Sequence, residues 1–279
     1  MSFATIGVIA SSLIASSASL ILDTYPTAMA VYSLRRMRTA YSGDCVRVRR
    51  SSDNVEQNFG FVNNGLDTVA LLAFVGANNG FVVTWFDQSG NGHNATQPTA
   101  SVQPRIVNAG VLDIKNTKPT IYWSGTRVLQ TGSVINHSAL LTASVVVSTE
   151  STIFNGGLFQ IGAINGHGSI LESNKWEGRA NNGNFSAQVS RLVSTLQVVT
   201  ARLENNLQRI ERDGVTGNLD GSDTLSNAVS RVLTVGGLDL NTGLNTVGEI
   251  SELVLFTSIL GNTERLAFQN DQKAFYATP

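Results

Sequence analysis

Trp85-Phe86-Asp87-Gln88-Ser89-Gly90-Asn91-Gly92-His93-Asn94-Ala95-Thr96-Gln97 is the stretch on which the fold is read. It begins inside FVVTWF, Phe81–Phe86, whose β-branched and aromatic residues predict a buried strand. Two glycines, Gly90 and Gly92, then fall within three positions, among Asp, Ser and Asn. Glycine accepts positive φ and close backbone approach. Asp and Asn side chains bond backbone two residues on. The stretch predicts a tight, self-satisfied loop leaving a β-sheet.

Working outward, VRVRR (Val46–Arg50) alternates as a strand. A short helix is expected at Asp67–Val75 with Asp67 as N-cap, broken by Gly76 to Gly80. Thr27–Tyr41 reads as a helix after Pro26, with Val31, Leu34 and Tyr41 on one stripe and Arg35, Arg36 and Arg38 as a solvated basic face. Further strands are expected at Pro119–Tyr122, Ala143–Ser148, Phe159–Ala163, Gln197–Leu203, Gln208–Arg212, Arg231–Val235 and Glu249–Phe256. Asn205-Asn206 and Asp213-Gly214 are turn signals. A helix over Arg191–Arg212 competes, but VVTARL alternates and Asn205-Asn206 interrupts it. A terminal helix follows Gly261, with Asn262 as N-cap and Glu264 in its first turn. The sum is a mostly β chain, a jelly-roll β-sandwich with a few short helices. Residues 1–25 are expected to form an N-terminal arm or docking strands, and residues 26–279 the sandwich.

The 279 residues carry 19 Lys plus Arg against 20 Asp plus Glu, a net charge of -1. Phosphate neutralisation needs a clustered basic excess, so no nucleic-acid partner is expected. Charged residues are only 14% while hydrophobic residues are 42%, which is not the pattern of disorder. Ile6–Leu22 is apolar but interrupted by five serines, so no membrane span is expected. It also lacks a basic n-region, so no signal peptide is expected. Cys45 is alone, which excludes an intramolecular disulfide and reads as a buried, inert thiol. His93, His137 and His167 lack ligand spacing, so neither a metal site nor a cofactor is expected.

For glycan binding, Trp123 and Trp176 are the candidate exposed platforms, and Trp85 reads as core. Asp87, Gln88, Asn91 and Asn94 could supply hydrogen bonds to a sugar, or could cap their own loop.

The 85–97 segment resembles the catalytic-domain family of arabinofuranosidase B, which has a concanavalin A-like jelly-roll fold. Ala30–Asn54, Gln103–Val111 and Lys118–Trp123 resemble the same domain. The ending LTVGGLDL, GEISELVLF and NTERLAFQNDQKAFY is similar to the last strands and helix of such sandwiches. A retaining glycosidase needs two carboxyl groups about 5 Å apart. The resemblance puts the nucleophile, a Glu, shortly after a Gly-His pair, and here Gly166-His167-Gly168 is followed by Ser169. It puts the acid, an Asp, after Gly-Gly, and here Gly236-Gly237 is followed by Leu238, with Asp239 one place late. The family's disulfides are also missing.

A non-catalytic version is therefore expected, not an enzyme. The setting expected is a phage virion surface, as a capsid decoration, spike or tail fibre. Its partners would be other virion subunits through the arm, further copies in a homo-oligomer, and cell-surface glycans. The alternative is an α-L-arabinofuranosidase using Glu172 and Asp239 as a displaced pair.

Overall fold

A computed structural model describes residues 19–137, 140–150, 156–161, 169–172, 175–179, 187–204, 207–218, 229–238 and 246–279. The first eighteen residues, with most of the expected arm, lie outside the described residues, as do His167 and Asp239.

Two antiparallel layers stack. The strands that build them are β1 (Ala30–Ser33), β2 (Val46–Arg50), β3 (Glu56–Phe59), β4 (Gly80–Trp85), β5 (Ala95–Thr96), β6 (Arg105–Asn108), β7 (Ile121–Trp123), β8 (Leu129–Thr131), β9 (Leu140–Thr149), β10 (Gly156–Ile161), β11 (Ser169–Glu172), β12 (Lys175–Arg179), β13 (Ala187–Ser190), β14 (Gln197–Glu204), β15 (Leu207–Arg212), β16 (Leu233–Val235) and β17 (Gly248–Phe256). One layer runs β15–β14–β9–β17, with β1 and β7 sharing the far edge of β17. From β7 it continues through β6 and β4 to β2 and β3. The other layer leaves β4 and runs β5–β8–β16–β10–β11–β12–β13. Alternation puts Trp85, Leu129, Phe159, Val235, Val145, Leu203 and Ile250 into one core between the layers. At Gly178 the layers come close: a Cβ there would lie 3.3 Å from Leu203.

The helices are few. α1 is Ile21–Thr24, α2 is Thr68–Val75 and α3 is Asn262–Tyr276. α2 starts as the sequence reads, with Asp67 accepting from the Ala70 amide at 3.0 Å. α3 starts one residue early: Gly261 is the N-cap, and its amide donates to Glu264 at 3.1 Å. Its inner face lays Phe268, Gln269, Gln272 and Tyr276 against β9, β14 and β17.

Thr27–Tyr41 is not a helix. Its Ala30–Ser33 portion pairs with Glu252–Leu255 of β17 and is buried on both faces. Sheet pairing plus two-sided burial outweighs a weak helical stripe. The expected basic face goes with it. Arg35 is 7% exposed and is paired with Glu252 at 2.9 Å and with Asp271 of α3 at 2.5 Å. Arg38 donates to the carbonyls of Ser89 and Pro26. Leu22 packs with Val31, Met37, Val254 and Phe268 in a small second core, with Tyr25 against it. No described helix is long and apolar enough to cross a membrane.

Candidate functional site

The 87–94 loop is built for its own backbone. Asp87 is 4% exposed. Its carboxylate accepts from the amides of Val31 (2.8 Å), Ser89 (2.9 Å) and His93 (3.0 Å) and from the Ser89 hydroxyl (2.7 Å). Gln88 is fully buried; it accepts from Met37 N and donates to the carbonyls of Ser33 and Arg35. Asn91 donates to the carbonyls of Ala28 and Met29, and Asn94 accepts from the Asp87 amide. Asp87, Gln88 and Asn91 hold the 28–37 segment on the sheet, and Asn94 closes the loop on itself.

The tryptophans correct the sequence reading. Trp123 and Trp176 were expected at the surface, and both are fully buried with Trp85. Trp176 alternates into the space between the layers, where its Nε1 donates to Gln197 at 3.2 Å. Trp123 lies under Gly236, whose φ is +84°. A Cβ at Gly236 would overlap the indole, so this glycine is required by both conformation and contact. Cys45 is fully buried, and burial pushes its thiol well above the ordinary range.

Of the displaced carboxylate pair, the described residues place only the backbone of Glu172. Glu172 ends β11, opposite Gly156 of β10 on one side and Trp176 of β12 on the other. Gly157 follows Gly156, and a Cβ on it would overlap the side chain of Leu238. Asp239 is the next residue in the chain. The 236–238 turn is anchored on the same strand: Gly236 N donates to Leu158 O at 2.8 Å. The returning chain is anchored there too, with the Thr246 hydroxyl on Gly157 O at 2.8 Å and its amide on Gly236 O at 2.9 Å. Glu172 and Leu238, 66 residues apart in sequence, thus come to adjacent residues of β10, Gly156 and Gly157, whose Cβ directions alternate between the two faces of the strand. At Gly157 the place of a side chain is taken by Leu238. The Gly-Gly at 156–157 was the signal that sequence reading passed over.

A second feature leads away from that junction. Gln160, Thr234, Gln130 and Thr96 stand in register on β10, β16, β8 and β5. Their chain neighbours Phe159, Val235, Leu129 and Ala95 face the core, so this row lies on the opposite face of the layer. Thr234 is fully buried, and its hydroxyl accepts from Gln130 Nε2 at 3.1 Å. Among the described residues no group of three or more His, Cys, Asp or Glu could hold a metal ion.

Neither a family model nor a curated protein matches this chain. Solved structures do. A glutamate-to-glutamine variant of a GH54 α-L-arabinofuranosidase, soaked with 4-nitrophenyl α-L-arabinofuranoside, superposes with a TM-score of 0.71 at 13% identity. An arabinofuranosidase complexed with arabinofuranosyl-α-1,2-xylobiose gives 0.70 at 13%. Each match covers 90% of this chain and 63% of the arabinofuranosidase, so the chain spans under two thirds of the length of these relatives in fold. A sialidase from Trypanosoma rangeli matches more loosely, with a TM-score of 0.50, 12% identity and 68% of this chain covered. The fold is thus the β-sandwich found in these arabinofuranosidases.

The expectation of a chain that is not an enzyme is corrected: the structures that share its fold, arabinofuranosidases and a sialidase, are glycoside hydrolases. That expectation came from Ser169 and Leu238 occupying single motif positions. Strand register brings the backbone of Glu172 and the turn ending at Leu238 to adjacent residues of β10. The virion setting finds no support among these structures.

Proposed function

We propose that this chain is a carbohydrate-active protein that binds a glycan at the Gly156-Gly157 junction and hydrolyses α-L-arabinofuranosides there. The observation that carries the proposal is that the Glu172 strand end and the 236–238 turn reach adjacent residues of β10, Gly156 and Gly157. In a retaining reaction one carboxylate attacks the anomeric carbon while the other protonates the departing glycosidic oxygen. Water, deprotonated by that second group, then releases the sugar from the first. Glu172 is assigned the nucleophilic role and Asp239 the acid/base role.

Turnover of 4-nitrophenyl α-L-arabinofuranoside is the test. The native chain is expected to release nitrophenol, and Glu172→Gln and Asp239→Asn each to lower kcat by about 100-fold or more. Retention of arabinose-bearing glycans without any turnover would reduce the proposal to binding alone.

A further inference from the structure

At its far end the polar row opens into a cleft of about 290 Å3, lined by Thr96, Pro98, Thr99, Gln130, Thr131 and Gly132. That volume lies near the lower limit of ordinary ligand pockets, about 300 Å3. With Gln97 also in the wall, the lining side chains are hydroxyls, two amides and one proline ring, with no charge among them. Gln130 commits its Nε2 to Thr234, and Thr96 donates weakly to Gln130 O at 3.4 Å. Pro98, Thr99 and Gly132 are exposed. At the rim, next to Gly132, the Ser133 hydroxyl lies 2.8 Å from His93 Nδ1, a further uncharged donor and acceptor pair when the imidazole is neutral.

The cleft is not the glycine junction. From Gln160 on β10 to Thr96 on β5 is three strand steps, about 14 Å, and Gly157 lies three residues back along β10, about 10 Å. The two places are therefore on the order of 17 Å apart, further than one sugar ring reaches. The pair is joined by a polar row on a single sheet, buried at Gln160 and Thr234 and half-buried at Gln130 and Thr96.

We propose that this cleft is a distal subsite for the main chain of a neutral polysaccharide whose side-chain sugar enters the junction. The inference rests on the carbohydrate-active reading above. Uncharged hydroxyl and amide groups match the hydroxyls of a neutral glycan, and nothing in the lining would pair with a carboxylated sugar.

The experiment uses soluble arabinoxylan as the probe in affinity electrophoresis, beside 4-nitrophenyl α-L-arabinofuranoside turnover. Thr99→Trp fills the cleft from an exposed position, and Gln130→Ala removes the amide. Both variants are expected to weaken retention by arabinoxylan about 10-fold while leaving kcat/KM for the small substrate within about twofold. Thr99→Trp keeps the test open if Gln130→Ala fails to fold. Unchanged retention in Thr99→Trp, or no retention of the native chain, overturns the subsite. Retention that the variants weaken, with no turnover of the small substrate, would sink the hydrolase reading and leave the subsite standing.

Discussion

Asp87 is the residue on which most of the local structure converges. Four donors meet its carboxylate, from three separate points of the chain. Buried charge-assisted bonds of this kind are costly to lose. Asp87→Ala is expected to lower stability by about 3 kcal/mol, read as a fall in the urea midpoint; a change below about 1 kcal/mol would contradict the assigned role. Cys45 gives a simpler check. Its burial predicts no reaction with a thiol reagent in the native protein and one equivalent after unfolding. Glu249 supplies a pH dependence. Burial raises its carboxyl, against the opposing pull of Lys115 at 3.4 Å. A carboxyl raised in the folded state favours folding below its unfolded value, about 4.3, and that contribution is lost as pH rises through the folded value. Glu249→Gln is therefore expected to flatten the loss of stability above about pH 4, and an unchanged profile would contradict it. At this scale the Asp67 cap and the self-bonded 87–94 loop were legible, because they depend on neighbours in sequence. The burial of Trp123 and Trp176 was not, because Gly236 and Gln197 reach them from distant strands.

Among the elements, β1 and α3 show where local pattern yields to pairing. β1 sits inside a segment with helical spacing, yet β17 takes it as a strand. Its end then delivers Arg35 to Glu252 and Asp271, tying sheet to terminal helix. Glu252 is fully buried and also meets Ser33, Gln272 and Tyr276. Removing the cation would strand that carboxylate. Arg35→Leu is expected to cost about 3–5 kcal/mol in a denaturant titration, and a cost below about 1 kcal/mol would show that the neighbouring donors suffice. A second elemental test lies at Gly236. Its positive φ and its contact with Trp123 predict that Gly236→Ala lowers stability by about 3 kcal/mol. The strands around Val46–Arg50, Phe81–Phe86 and Glu249–Phe256 were legible because their side chains alternate or form β-branched runs between turn signals. The pairing order of the second layer was not, since antiparallel partners separated by dozens of residues leave no periodic trace.

Across the whole molecule the two layers do different work. One carries β1, β17 and the polar seat of α3; the other carries the glycine junction, the polar row and the cleft. A jelly-roll sandwich was readable from turn spacing and from the 85–97 loop. The approach of the Glu172 strand end to the 236–238 turn was not, because it depends on which strands lie side by side. The charge-poor composition also fits this architecture: several of the few charges are spent on buried pairs such as Arg35–Glu252 and Arg202–Glu211. Release of nitrophenol from 4-nitrophenyl α-L-arabinofuranoside by the native chain, with Glu172→Gln and Asp239→Asn beside it, tests the central claim. Turnover in the native chain that both variants lose is the expected result. No release at high protein concentration, or release that both variants retain, would contradict it.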